Sequence, residues 1–110
     1  MENDNASAKQ RSYEISNAVQ KELAKLPVEI RDSFLVDIER LSWGKAPMLA
    51  VDSLRDGILE LKINGSPAYR LLYTLKIAGK MIVLAARSKT KNGPDKQLIE
   101  VATSRLKDYR

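Results

Sequence analysis

The hydrophobic residues change their spacing near the middle of the chain, and this change constrains the fold more than any other feature. Up to Gly44 they recur every three or four positions, as on one face of a helix. From Leu59 to Lys89 they alternate at a period of two, as in strands. From Asp95 onward the helical spacing returns. The sequence therefore predicts an α+β domain in the order α-α-β-β-β-α.

The first two segments predict an antiparallel αα-hairpin. The first helix is expected to begin at a capping box, Ser7–Gln10, and to end at Leu26, because Pro27 cannot continue it. The second helix follows directly and is expected to end at Gly44. The apolar stripes of both helices are interpreted as core-packing surfaces, and residues 1–6 are expected to be disordered.

The middle of the chain predicts a three-stranded antiparallel β-meander. Residues 45–57 are expected to cross irregularly to the first strand, which alternates from 59 to 63. Asn64–Pro67 predicts the first turn, and Ala78-Gly79 predicts a two-residue hairpin loop. A C-terminal helix opening at residues 92–95 then packs on the sheet.

The length and composition predict one domain that covers residues 1–110. The chain has 110 residues, of which 44% are hydrophobic and 30% are charged, the balance of a folded domain. No apolar run approaches the roughly 20 residues of a membrane span, and the polar N-terminus does not resemble a signal peptide. We therefore expect a cytoplasmic protein.

The absence of two residue types narrows the possible chemistry. The sequence holds no cysteine and no histidine, which excludes disulfides, thiolate nucleophiles, Cys/His zinc sites and histidine acid–base pairs. It also lacks a glycine-rich phosphate loop and paired carboxylates that suggest Mg²⁺. No metal and no cofactor is expected, so any reaction must use Arg, Lys, Tyr, Asp, Glu or hydroxyl groups.

The positive charge is concentrated in the C-terminal part of the chain. The net charge is +5, but residues 1–44 hold 6 basic and 8 acidic side chains while residues 45–110 hold 13 basic and 6 acidic ones. Between Ala68 and Lys91 there are six basic residues and no acidic one. This pattern fits either a solvated basic surface or a nucleic-acid partner.

The predicted strand register brings charged residues together. If Ala78-Gly79 forms a two-residue loop, Arg70 lies opposite Arg87, and directly opposed like charges destabilise a sheet unless an anion or carboxylate lies between them. A three-residue first loop keeps the apolar residues of the first strand inward and places Glu60 opposite Arg70. We therefore expect an exposed cluster on the sheet face away from the helices. Its members are Glu60, Lys62, Arg70, Arg87 and Lys89.

Two interpretations of this cluster remain open, a cross-strand ion-pair network and a phosphate site. Arginine matches phosphate oxygens in pairs, while lysine supplies a point charge or a base. Glu60 is suited either to orient a guanidinium or to accept a proton. The charge and geometry suit metal-free phosphodiester chemistry.

Several short motifs, taken in order, resemble a known family. They are Leu26-Pro27-Val28-Glu29-Ile30-Arg31, then Leu54-Arg55-Asp56-Gly57-Ile58-Leu59-Glu60-Leu61-Lys62-Ile63, then Tyr69-Arg70-Leu71-Leu72-Tyr73, and last Ser88-Lys89-Thr90 ahead of Pro94. Their order over roughly residues 20–106 resembles the phage-derived HigB-like toxins of the RelE/ParE superfamily. The resemblance implies a RelE-like fold and the toxin of a type II toxin–antitoxin pair. Such a toxin is an mRNA interferase, a ribosome-dependent endoribonuclease that inhibits translation and is held inactive by a cognate helix-turn-helix antitoxin.

The resemblance also implies roles for individual residues. In such enzymes the RNA 2′-hydroxyl attacks the adjacent phosphate, and basic residues stabilise the transition state without a metal. The arginine of the Y-R-x-x-Y motif is Arg70, and the lysine carried over from the family pattern is Lys89, as base or second charge donor. Strand geometry adds Arg87 at the scissile phosphate and Glu60 beside Arg70, which it would orient. Contacts to the RNA backbone are assigned to Lys62, Lys91 and Arg105.

The basic stretch of the last strand leaves two further hypotheses open. The family pattern is F-x-K-K-T, whereas this chain reads Ala86-Arg87-Ser88-Lys89-Thr90. The Arg/Lys cluster favours a nuclease. The absence of the aromatic residue and of one lysine favours either an inactive member or a non-nucleolytic inhibitor of a protein target on the same fold, such as a ParE-like gyrase poison or a phage host modulator.

Overall fold

The computed structural model describes residues 10–89 and 95–110. Its helices are α1 (Asn17–Ala24), α2 (Val28–Ser42) and α3 (Lys96–Lys107), and its strands are β1 (Ser12–Ile15), β2 (Ala50–Ser53), β3 (Ile58–Ile63), β4 (Ala68–Thr74) and β5 (Lys80–Lys89). The strands form one sheet in the order β1-β5-β4-β3-β2. Strand β1 runs parallel to β5, and the other neighbours are antiparallel. No helix within the described residues is long and apolar enough to cross a membrane.

The α+β class, two consecutive helices near the N-terminus, the central antiparallel strands β3 to β5 and the C-terminal helix are confirmed. The prediction of a three-stranded meander is wrong, because a short strand is added at each edge and makes a five-stranded mixed sheet. The Ala78-Gly79 turn is tight, since the backbone N–H of Lys80 donates to the Ile77 carbonyl at 3.0 Å.

Strand β1 replaces the beginning of the predicted first helix. Ser12–Ile15 pairs with the first residues of β5, so these backbone groups bond to the sheet and not along a helix. Helix α1 begins only at Asn17, where the Ser16 hydroxyl accepts a hydrogen bond from the Val19 backbone N–H at 3.3 Å. Residues 7–9 of the predicted capping box, like residues 1–6, lie outside the described residues.

Strand β2 lies in the segment that was predicted to be irregular. The carboxylate of Asp37, which is fully buried, accepts hydrogen bonds from the backbone N–H groups of Met48 and Leu49 at 2.8 and 2.9 Å. This pair of bonds orients the crossing so that Ala50–Ser53 pairs with β3. All four residues of β2 are exposed, so the strand leaves no alternating pattern in the sequence.

Helices cover both faces of the sheet, which corrects the expectation that the Arg70 face is open. Helices α1 and α2 pack on one face, where Phe34 and Ile38 meet Leu61, Leu71 and Tyr73. Helix α3 packs on the opposite face. Its Leu98, Ala102 and Leu106 meet Ile58, Leu72, Ile82 and Leu84. Both faces of β5 are apolar from Met81 to Ala86, which is the pattern of a strand buried on both sides.

The strand register agrees with the prediction at one pairing and differs at another. Arg70 lies opposite Arg87 as predicted, while a bulge between Leu72 and Tyr73 shifts the pairing nearer the turn. Across the other edge of β4, Arg70 faces Lys62 and not Glu60, because the connection after β3 is longer than the predicted three-residue loop. The observed pairing of β3 with β4 differs from the predicted one by two residues. Because side chains alternate with a period of two, Glu60 stays on the same sheet face as Arg70.

Candidate functional site

Four charged side chains share the sheet face on which α3 packs, and we call them the Arg70 cluster. They are Glu60, Lys62, Arg70 and Lys89, and the register places them on one side of β3, β4 and β5. Glu60 Oε2 lies 3.7 Å from Arg70 Nε. Both lysines are near enough to act electrostatically on Glu60. Four of the five predicted members therefore come together, with three cations near the half-buried carboxyl group of Glu60, and Arg70 is buried where an exposed cluster was expected.

Arg70 is the most enclosed member of the cluster, with only 8% of the residue exposed. Its Nη1 donates to the Tyr69 carbonyl at 2.9 Å and to the Ile63 carbonyl at 3.4 Å. Its Nη2 donates to Asn64 Oδ1 at 3.2 Å. The prediction of an exposed sheet-face arginine is wrong, because the β3–β4 connection closes over the side chain. The guanidinium is consequently held in one orientation before any ligand arrives.

The carboxyl group of Glu60 has a perturbed pKa. Burial raises the pKa above the usual glutamate value, and the nearby Asp52 adds to this, while Arg70, Lys62 and Lys89 oppose it. The net direction is upward, so Glu60 takes up a proton more readily than a surface glutamate does. A partly buried carboxyl group with a raised pKa is a candidate for proton transfer.

Lys62 has an acidic partner that sequence reasoning missed. Its Nζ lies 2.6 Å from Asp52 Oδ2 on β2, and the Asp52 side chain is 54% exposed. Because β2 was not predicted, nothing in the sequence placed Asp52 beside Lys62. Exposed ion pairs of this kind contribute about 0–1 kcal/mol, so a phosphate can displace Asp52 at little cost.

Arg87 lies opposite Arg70 along the backbone, but its guanidinium binds elsewhere. Arg87 Nη2 donates to Glu22 Oε2 at 3.1 Å. Arg105 binds the same carboxylate through two nitrogens, at 3.1 and 2.9 Å, and also donates to the Leu84 carbonyl at 2.8 Å. The structure thus joins Arg87 and Arg105 to each other through Glu22 and does not bring them into the Arg70 cluster. Lys91 lies outside the described residues.

Glu22 on α1 was missed by the sequence analysis, and its position follows from the short length of β1. Strand β1 ends opposite Val83, which leaves the following edge of β5 without a neighbouring strand. Glu22 Oε1 accepts the Ala86 backbone N–H there, at 3.1 Å. The two opposed arginines therefore have different carboxylates, Glu22 for Arg87 and Glu60 for Arg70.

The hydrogen bonds to Glu22 determine the direction of its pKa shift. Burial alone would raise the pKa, but the hydrogen bonds from Arg105, from the Ala86 backbone and from Arg87 outweigh it and hold the pKa below the usual value. A lowered folded-state pKa means that Glu22 stabilises the fold above the unfolded-state value and loses this effect as the pH falls through the folded-state value.

We therefore expect Glu22→Gln to lower the free energy of unfolding by about 1–3 kcal/mol at pH 7, since charged hydrogen bonds contribute in this range. The difference between wild type and variant should shrink as the pH falls below the usual glutamate pKa. Urea unfolding of both proteins between neutral and acid pH measures it. A difference that stays constant over this range would contradict the assignment of the lowered pKa.

Comparisons with known proteins agree with this fold. A family profile, Phage derived protein Gp49-like (DUF891), matches residues 21–107. None of the curated proteins matches the sequence significantly. The structure is similar to a double-arginine mutant of the Escherichia coli toxin RelE in the free state, with a TM-score of 0.64 and 19% identity over 88% of this chain and 98% of that one.

A second solved structure has the same architecture. It is the toxin–antitoxin complex RelBE2 from Mycobacterium tuberculosis, with a TM-score of 0.50 and 22% identity over 73% of this chain and 99% of that one. At these identities the likeness is one of fold. The family profile, in contrast, spans most of the sequence, from the middle of α1 to the end of α3. The chain therefore belongs to the family of phage-derived Gp49-like proteins and has the fold seen in RelE.

Proposed function

We propose that this protein is the HigB-like toxin of a type II toxin–antitoxin pair and cuts mRNA on the ribosome. The Arg70 cluster is the observation that carries this proposal, because three cations lie near one half-buried carboxyl group whose pKa is raised. A cluster of this composition suits a phosphodiester whose charge grows in the transition state. The Gp49-like family and the RelE fold support the same function.

The proposed reaction uses only groups of the protein and the RNA. The 2′-oxygen of the RNA attacks the adjacent phosphorus, and its proton passes to the Glu60 carboxylate or to Lys89 in its neutral form. The bond from phosphorus to the 5′-oxygen breaks, and that oxygen takes a proton from the other of these two groups, which is then the protonated one. The products are a 2′,3′-cyclic phosphate and a 5′-hydroxyl end. A guanidinium has five N–H donors, so Arg70 keeps donors for the phosphate beside its three hydrogen bonds to Ile63, Asn64 and Tyr69.

The remaining predicted residues would contact the RNA backbone or, in the case of Arg87, the scissile phosphate. Lys62, Lys91 and Arg105 would contact the RNA backbone, and such contacts position the RNA without reading its sequence. For Arg87 to reach a phosphate held at Arg70, its guanidinium has to leave Glu22. Arg105 still neutralises Glu22 after that movement, because it binds both carboxylate oxygens.

The proposed partners are the ribosome with its mRNA and a cognate helix-turn-helix antitoxin. The ribosome would place the action of the protein in the cytoplasm. The RelBE2 structure is described as a toxin–antitoxin complex, which supports the expectation of an antitoxin. A small helix-turn-helix protein encoded beside this one, and its co-purification with this protein, would establish the pair.

Cleavage of ribosome-bound mRNA tests the function directly. We expect the purified protein to create new 5′-hydroxyl ends, seen by primer extension, and to do so equally when calcium replaces magnesium, because the sequence has no histidine or cysteine and the proposed reaction needs no metal. A strict requirement for a transition metal would contradict the mechanism. Loss of activity only when the ribosome dissociates would not.

A non-nucleolytic inhibitor of a protein target is the second candidate. The burial of Arg70 favours it, because its three hydrogen bonds tie the end of β3, Asn64 of the β3–β4 connection and the start of β4 together, which is a structural role. Under this alternative, induced expression would arrest growth while primer extension shows intact mRNA. The same two measurements therefore separate the two functions.

A further inference from the structure

The structure has a second basic site on the opposite face of the sheet from the Arg70 cluster. It is a cleft of about 540 Å³ between the α1–α2 connection and the ends of β4 and β5. Its lining includes Glu22, Lys25, Pro67, Tyr69, Arg87 and Ser88. The volume lies within the roughly 300–1,000 Å³ of small-molecule sites. No step of the proposed reaction uses this cleft.

The polar part of the cleft favours an anion. Glu22 is the one acidic residue of the lining, and its two oxygens are bound by Arg87 and Arg105. Lys25 is exposed at the cleft, and 36% of the Arg87 side chain is accessible. The lining thus holds two cations and one carboxylate, and Arg105 binds that carboxylate from outside the lining. The exposed Ser88 adds a hydroxyl group that can donate to an anion.

The remaining walls of the cleft are apolar and include an aromatic ring. Leu26, Pro27 and Pro67 line it together with the half-buried Tyr69. Nucleic-acid bases stack on aromatic side chains whatever their sequence. A ligand that fills both parts of the cleft therefore needs a negative charge and a flat ring, and a nucleotide has both.

The cleft and the Arg70 cluster are joined by a single turn. Pro67 lines the cleft, while Asn64 of the same β3–β4 connection accepts a hydrogen bond from Arg70. Tyr69 and Arg70 are consecutive in β4, so their side chains lie on opposite faces of the sheet. A flexible single strand that crosses this turn can reach both sites, whereas a rigid duplex cannot.

We propose that the cleft binds one nucleotide of single-stranded RNA, next to the nucleotide whose phosphate lies at the Arg70 cluster. This inference rests on the proposed function for the choice of RNA. In it, Lys25 binds the phosphate, Ser88 donates a hydrogen bond, and the base packs between Tyr69 and the two prolines. Arg87 adds positive charge beside this phosphate while its guanidinium is bound to Glu22.

Nuclear magnetic resonance titration of the full chain tests the cleft without any cleavage. Adenosine 5′-monophosphate should shift the backbone amides of Lys25, Ala86 and Ser88 and should bind at least about threefold more tightly than inorganic phosphate, since the ring adds contacts. Lys25→Gln should weaken this binding about threefold or more. Lys21→Gln, which removes an exposed lysine of the same helix outside the lining, should not.

Three results would overturn the cleft proposal. The first is equal affinity for inorganic phosphate and adenosine 5′-monophosphate at these amides. The second is shifts confined to the Arg70 cluster. The third is tighter binding of a dipeptide of glutamate and tyrosine, which would make the cleft a site for an acidic protein segment.

The cleavage assay separates failure of the cleft from failure of the proposed function. With ribosome-bound mRNA, Lys25→Gln should raise KM about 3- to 10-fold and leave kcat unchanged, because the contact binds substrate and transition state equally. Cleavage by the wild type with no difference between Lys25→Gln and Lys21→Gln would overturn the cleft proposal alone. Nucleotide binding in the cleft without any mRNA cleavage would support the cleft and overturn the proposed function.

Discussion

Replacement of Arg70 by alanine is expected to lower the single-turnover rate of mRNA cleavage by about 10²–10³-fold, the usual loss on removing one transition-state charge donor. Arg70 is held beside Glu60 and by the β3–β4 connection, so no other cation of the cluster can take its place. Induced expression of the variant should no longer arrest growth. The rate is measured with saturating protein on ribosome-bound mRNA.

The burial of Arg70 makes a stability control necessary. Loss of its hydrogen bonds should lower the free energy of unfolding by about 1–3 kcal/mol. Asn64→Ala is the matched control, because it removes the Nη2 acceptor but keeps the guanidinium. It should loosen the turn and leave most of the cleavage rate. If Arg70→Ala is folded and cuts at the wild-type rate, Arg70 has no part in the reaction.

Replacement of Lys89 by alanine is expected to lower kcat by about 10²-fold and to change ribosome binding by less than about threefold. We expect this because Lys89 lies on the same sheet face as Arg70 and is near enough to act electrostatically on the carboxyl group of Glu60. A group that serves in the transition state lowers the chemical step and affects binding little. Ribosome pelleting and single-turnover cleavage are measured on the same samples.

Lys107→Ala provides the matched control for Lys89→Ala, because it removes an exposed lysine near the end of α3. Both of its measurements should equal those of the wild type. Equal losses of binding and cleavage in Lys89→Ala would mean that Lys89 only attracts RNA. In that case the catalytic base would have to be Glu60 alone, and Glu60→Gln would abolish cleavage.

Four of the five predicted members of the Arg70 cluster could be read from the sequence because side chains alternate across a strand. Glu60, Lys62, Arg70 and Lys89 fall on one face under the observed register and under the predicted one, which differ by two residues. The two N-terminal helices were readable from their apolar stripes and from Pro27 between them, although the first begins later than predicted.

Contacts between distant segments were decided only by the tertiary structure. Strands β1 and β2 pair at the edges of the sheet with few buried residues, so neither leaves a periodic pattern. Glu22 reaches Arg87 and Arg105 across 65 and 83 positions of the chain. The burial of Arg70 and the side on which α3 packs depend on how the β3–β4 connection and the last helix meet the sheet. Local sequence determined which side chains share one face of a strand or helix, because that depends on periodicity alone. Which faces are covered, and by which partners, depends on long-range packing, which periodicity does not encode.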